Sequence, residues 1–169
     1  MPGTLSGSIG YRAELVGQRS RVIRLGAAAA AGGLTGGLLL LALPAAAFGR
    51  IVPILILGSV VLVAIQPRLS AAMGHRRVVG QEHTVPLMIT LYLTGIYGGY
   101  FGAGQGVIMM AILGVFLPDN IQRLNGLKNV LALLINGVAA ILFIFLAPVA
   151  WPPAIVLAVG AVILSLIHI

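Results

Sequence analysis

Few side chains in this sequence can do chemistry, and those that can gather in two places. Gln122, Asn125, Asn129 and Asn136 recur at intervals of 3, 4 and 7 residues. On a helix turning about 100° per residue they fall within about 60° of arc on one face. Primary amides carry both donors and acceptors, so such a face either binds a polar solute or hydrogen-bonds a neighbouring helix. Lys128 borders the stripe, a cation that either meets an anion or snorkels to an interface. The second place is Gly98-Gly99-Tyr100-Phe101-Gly102-Ala103-Gly104-Gln105-Gly106, where missing side chains leave the backbone open to close approach.

Other chemistries find no support. The acids are Glu14, Glu82 and Asp119, and none falls within an apolar run, so no carboxylate relay at membrane depth is visible. There is no cysteine, which removes disulfides, thiolate metal sites and thiol nucleophiles. His75 and His83 lie in a polar stretch and read as solvated side chains. No nucleophile–base pair or metal cluster is apparent, so the sequence does not read as an enzyme and implies no cofactor and no metal. The Gly102–Gly106 run lacks the preceding strand and the later acidic residue of a nucleotide-binding loop.

The elements that must hold these residues are membrane helices. The chain is 60% hydrophobic and 8% charged, with mean hydropathy +1.12. A soluble domain carries roughly 25% charged residues, so this one could not cover its apolar surface in water. The net charge of +7 is concentrated beside apolar runs: Arg12, Arg19, Arg21 and Arg24 before the first, and Arg68, Arg76 and Arg77 between two others. That is an orientation signal and not a nucleic-acid surface, and it puts both segments on the cytoplasmic side of a multi-pass plasma-membrane protein. The apolar pattern predicts spans at Leu25–Leu43 and Ile51–Ile65, joined by a turn over Pro44–Arg50. A polar loop over Gln66–Thr84 follows. Further spans are expected at Gln122–Leu146 and Ala154–Ile169, with Pro148–Pro153 as the turn and Trp151 at an interface. Gly32, Gly33, Gly36 and Gly37 supply the small-residue spacing that lets helices approach closely.

Val85–Leu117 does not fit this scheme. Its 33 residues would span about 50 Å as one helix, against a hydrocarbon core of about 30 Å. The glycines at its centre are poor helix formers, so a helix broken over Gly98–Gly106 is expected. Unwound backbone at membrane depth is tolerated only when buried in protein or facing a wet cavity.

Gly98–Gly106, followed by Leu117-Pro118, Leu127-Lys128-Asn129 and Asn136-Gly137, resembles the second half of the TauE/SafE family of sulfite-exporter-like transporters. Gly10-Tyr11-Arg12 and the basic run after it resemble that family's cytoplasmic loop after its second helix. Ile65-Gln66-Pro67-Arg68 resembles the end of its fourth. The resemblance implies an all-α, polytopic membrane bundle, part of a transporter with two repeats of about four helices. Residues 1–24 would be a basic cytoplasmic segment, 25–84 the end of the first repeat, and 85–169 the start of the second. The first repeat's glycine motif is absent. Leu164–Ile169, reading LSLIHI, resembles a translated sequencing adaptor, which would leave His168 without meaning. The resemblance also makes the Pro118–Asn120 loop external. The basic residues after it favour a cytoplasmic loop and a re-entrant hairpin; the family arrangement is the one adopted.

The expectation for function is a secondary transporter that exports a small anion, sulfite or an organosulfonate, by alternating access. Gly98, Gly99, Gly102, Gly104, Gln105 and Gly106 would line the path with Gln122, Asn125, Lys128, Asn129 and Asn136. The bilayer, a small anionic solute and a further copy of the chain are the expected partners. The alternative is a non-transporting scaffold subunit packed through its glycine faces.

Overall fold

A computed structural model describes residues 19–75, 84–117, 119–148 and 150–167. The segment before Arg19, the loop residues Arg76, Arg77, Glu82 and His83, and His168 lie outside it, and so do the expectations placed on them. The described residues form six helices and no strand: α1 Arg19–Ala42, α2 Ala45–His75, α3 Thr84–Tyr100, α4 Gln105–Phe116, α5 Ile121–Leu146 and α6 Trp151–Ile167. Three stretches are long and apolar enough to cross a membrane: Arg19–Ala42, Ala46–Ile65 and Ile121–Leu146.

Several boundaries differ from the sequence reading. The Pro44–Arg50 turn shrinks to Leu43 and Pro44, because the Pro44 carbonyl already accepts from Ala47 and Phe48 and starts α2. Residues 66–75, expected as loop, continue α2 as helix. Helix α6 begins at Trp151, with Pro152 and Pro153 in its first turn, where proline's missing N–H leaves no helical bond unmade.

Helix α1 organises the bundle. Its buried residues are Leu25, Gly26, Ala29, Gly32, Gly33, Gly36 and Gly37, one face at helical spacing. A Cβ on Gly32 would stand 2.2 Å from the Tyr92 carbonyl oxygen, and one on Gly36 would stand 2.1 Å from that of Ile96. Helix backbones this close require glycine. Each glycine α-hydrogen in that direction points at a carbonyl, the weak contact common at helix interfaces. The opposed residues rise together, Gly32 with Tyr92 and Gly95, Gly36 with Ile96 and Tyr100, so α1 and α3 run parallel. Helix α5 is parallel to α1 as well, with Gly33 on Ile135 and Gly37 on Leu142. Leu25, Leu91, Met109, Leu113, Leu127 and Leu131 fill the core between these helices.

The direction of α4 follows from one ion pair. Arg21, in the first turn of α1, meets Asp119 at 3.1 Å. Asp119 lies just beyond α4, so the chain has returned by then to the end of the bundle where α1 and α3 begin. Helices α3 and α4 therefore form a re-entrant hairpin, about 25 Å up and about 18 Å back. This overturns the opposite-side placement of the Pro118–Asn120 loop: Asp119 and Asn120 share an end with the start of α1. Asp119 also meets Arg123 at 3.5 Å, and Asn120 caps α5 by accepting from the Arg123 N–H at 2.8 Å.

Candidate functional site at the hairpin tip

The helix break is real and shorter than expected. Gly98 and Gly99 lie in the last turn of α3 and Gly106 in the first turn of α4, so only Phe101–Gly104 are non-helical. Two glycines at positive φ, Gly102 at 78° and Gly104 at 73°, turn the chain, in a region where a Cβ is strained. The N–H groups of Phe101 and Gly102 both donate to the Tyr97 carbonyl, at 2.9 and 3.1 Å, and close the end of α3. Gly104 opens α4, its carbonyl accepting from Val107 at 3.0 Å and Ile108 at 3.3 Å.

The tip stops short of the far end of α1. Tyr100 is level with Gly36, and α1 continues six residues beyond, about 9 Å, to Ala42. Gly98 makes room for a polar side chain: a Cβ there would stand 2.5 Å from Cδ of Gln105. Gln105 is 4% exposed, and its Nε2 donates only to the Met109 sulfur, at 3.9 Å. Beside it the surface opens, since Ala103 and Gly106 are exposed and a Cβ on Gly106 would meet nothing within 4 Å. The first N–H groups of α4 end at this opening. The Gln105 N–H already donates to the Gly102 carbonyl at 3.3 Å and the Val107 N–H to that of Gly104 at 3.0 Å, so what this helix end offers an anion is chiefly its partial positive charge.

The amide stripe is placed differently. The buried face of α5 runs through Leu124, Leu127, Leu131, Ile135 and Ala139. The four amides sit roughly 120° around the helix from it, flanking the packed face. Gln122 is exposed, and Asn125, Asn129 and Asn136 are half-buried. Gly33 touches both Gly99 and Ile135, so Asn136 shares the depth of the tip, while Asn125 and Asn129 lie toward the Arg21–Asp119 end. Lys128 Nζ donates to Asn125 Oδ1 at 3.0 Å.

Three residues at the tip escaped the sequence reading. The Ala103 carbonyl accepts from the Tyr97 hydroxyl and from Ser59 Oγ, the latter at 3.2 Å. The two hydroxyls are 2.8 Å apart. The Tyr100 hydroxyl is buried without a hydrogen-bond partner, and its ring tilts against Phe48 at 6.2 Å. Ser59 could have been flagged as a lone hydroxyl in an apolar run, because serine in a membrane helix commonly bonds across to a neighbour. The tyrosines carry no such signal.

A family model described as "Sulfite exporter TauE/SafE" matches residues 1–167. No curated protein and no solved structure matches the chain. An all-α membrane bundle, a hairpin broken at its glycines and a family match over nearly every residue agree, and the chain belongs to the TauE/SafE sulfite exporter family, a family of membrane transporters.

Proposed function

We propose that the protein exports a small anion, sulfite or an organosulfonate, across the plasma membrane by alternating access, with the α3–α4 tip lining the path. The observation that carries this reading is the interruption of the chain at Phe101–Gly104, part-way along α1, beside the exposed Ala103 and Gly106 at the N-terminus of α4. A membrane protein gains nothing in packing from unwound backbone at that depth, and discontinuous helices commonly aim such N-termini at anionic substrates. Gln105 and Gly106 would contact the solute first, with Asn136 at the same depth. Asn125, Lys128, Asn129 and Gln122 would extend a polar flank toward the Arg21–Asp119 end.

The scaffold reading loses its main support. Gly32, Gly33, Gly36 and Gly37 are occupied within the chain, against α3 and α5, so this glycine face is not free to dock another protein.

Flux of sulfite and of an organosulfonate into liposomes holding the intact protein tests the proposal. Gly104→Leu should abolish flux while insertion persists, because it places a branched side chain at φ 73° beside the opening. Asn129→Leu should reduce flux or alter selectivity. An amide acting only between helices would instead show up as lost stability, with couplings of about 0.6 kcal/mol in the measured membrane case. Undiminished flux in both variants would refute the site.

A further inference from the structure

Helix α2 is held to the rest of the protein in an unusual way. Of the apolar stretch Ala46–Ile65, only 6% is buried, and Ser59 is the one buried side chain among those described there. Its neighbours Leu57, Val60 and Val61 are each more than half exposed, and a Cβ on Gly58 would meet nothing within 4 Å. One aromatic contact, Phe48 on Tyr100, touches the hairpin, and in a bilayer apolar contact with lipid is about as favourable as apolar contact with protein. The polar contact of the docked position is Ser59 Oγ against the Ala103 carbonyl and the Tyr97 hydroxyl.

We propose that Ser59 is the latch that holds α2 against the hairpin tip, and that releasing it from Ala103 and Tyr97 is part of the transport cycle. This rests on the reading that the tip lines the path. Such a latch can open without stranding a polar group. Ser59 Oγ also reaches the Leu55 carbonyl of its own helix at 2.7 Å, so its proton keeps an acceptor when α2 moves away. The Ala103 carbonyl keeps the Tyr97 hydroxyl, which belongs to the hairpin itself. Both positions of α2 are thus satisfied: each hydroxyl has one proton, and both protons keep an acceptor in either position, which suits a reversible step. Ser59 acts here as a positioning residue. It sets whether α2 stays against the tip, while Tyr97 holds the turn in shape.

The test has two arms on the intact protein in liposomes. In the first, amide hydrogen exchange is followed over residues 101–107. Ser59→Ala should speed exchange severalfold, because it removes the hydroxyl that ties α2 to the hairpin. Ser59→Thr, which keeps the hydroxyl, should restore the original rate, and Tyr97→Phe should also speed it. Unchanged exchange in both Ser59→Ala and Tyr97→Phe overturns the latch whatever the transport result. In the second arm, Ser59→Cys and Ala103→Cys are combined, a clean pair because the chain has no cysteine. A short, reductant-cleavable bis-thiosulfonate linker joins them. Sulfite flux should stop on linking and return on reduction. Linked protein that transports at the unlinked rate overturns the latch. If the unlinked parent protein carries no anion at all, the transport reading fails, and the latch is then decided by exchange alone.

Discussion

Gly36→Ala adds a single methyl group at the tightest glycine contact among the described residues. That methyl would stand 2.1 Å from the Ile96 carbonyl oxygen and 2.9 Å from the Tyr100 nitrogen. Ordinary contact begins near 3.4 Å, so α1 and α3 must part by the difference, 3.4 − 2.1 = 1.3 Å. Both opposing atoms are backbone, and no side-chain rotation relieves the clash. A gap of about 0.5–1 Å already forfeits a quarter to a half of the dispersion attraction at each contact. The neighbouring contacts at Gly32, Gly95 and Gly99 open with it. Overpacking costs about 1–3 kcal/mol, and this rigid case belongs at the upper end, about 3 kcal/mol. The membrane supplies no hydrophobic force to press the helices together again. Gly49→Ala is the matched control, since a Cβ there meets nothing within 4 Å and alanine is the better helix former by about 1 kcal/mol. Unfolding of both variants in mixed micelles, titrated with denaturing detergent, gives the difference. If Gly36→Ala proves as stable as Gly49→Ala, the glycine crossing is not what holds the hairpin against α1.

Further outcomes follow from the same geometry. Gly98→Ala pushes first on the Gln105 side chain, whose atoms are the nearest to the new methyl; stability should fall by less than about 1.5 kcal/mol while anion flux changes severalfold, and unchanged flux would remove Gln105 from the path. A double-mutant cycle on Arg21→Ala and Asp119→Ala should give a coupling of about 0.5–1 kcal/mol, as for a partly exposed pair; zero coupling would mean that the pair does not fasten the returning chain. Single cysteines at Ser20, Ser70 and Asn120 should react from one and the same side of the membrane, and one at Ala150 from the other. Labelling of Ser20 and Asn120 from opposite faces would refute the re-entrant hairpin.

The membrane class was legible in composition alone, because a chain with so few charges cannot solvate its own surface in water. The broken helix was legible in arithmetic: 33 apolar residues with glycines at the centre fit neither one span nor two. The short motifs Gly98–Gly106 and Leu127-Lys128-Asn129 sufficed for the family, which the match over residues 1–167 shows independently. Tertiary structure decided how the break is used. From sequence, a kinked crossing and a hairpin are equally consistent with glycine, since both need only backbone freedom. The Arg21–Asp119 pair and the parallel run of α1 and α3 select the hairpin. The basic residues after Pro118 pointed the same way, and the family topology outweighed them. The amide stripe shows the other limit. Periodicity fixes which residues share a face of a helix and says nothing about which face packs, and here leucine and alanine took the packed one. Ser59 was legible only as a lone hydroxyl in an apolar run, because a hydroxyl that can satisfy itself on its own helix does not reveal a partner until the fold brings a second carbonyl, Ala103, within reach.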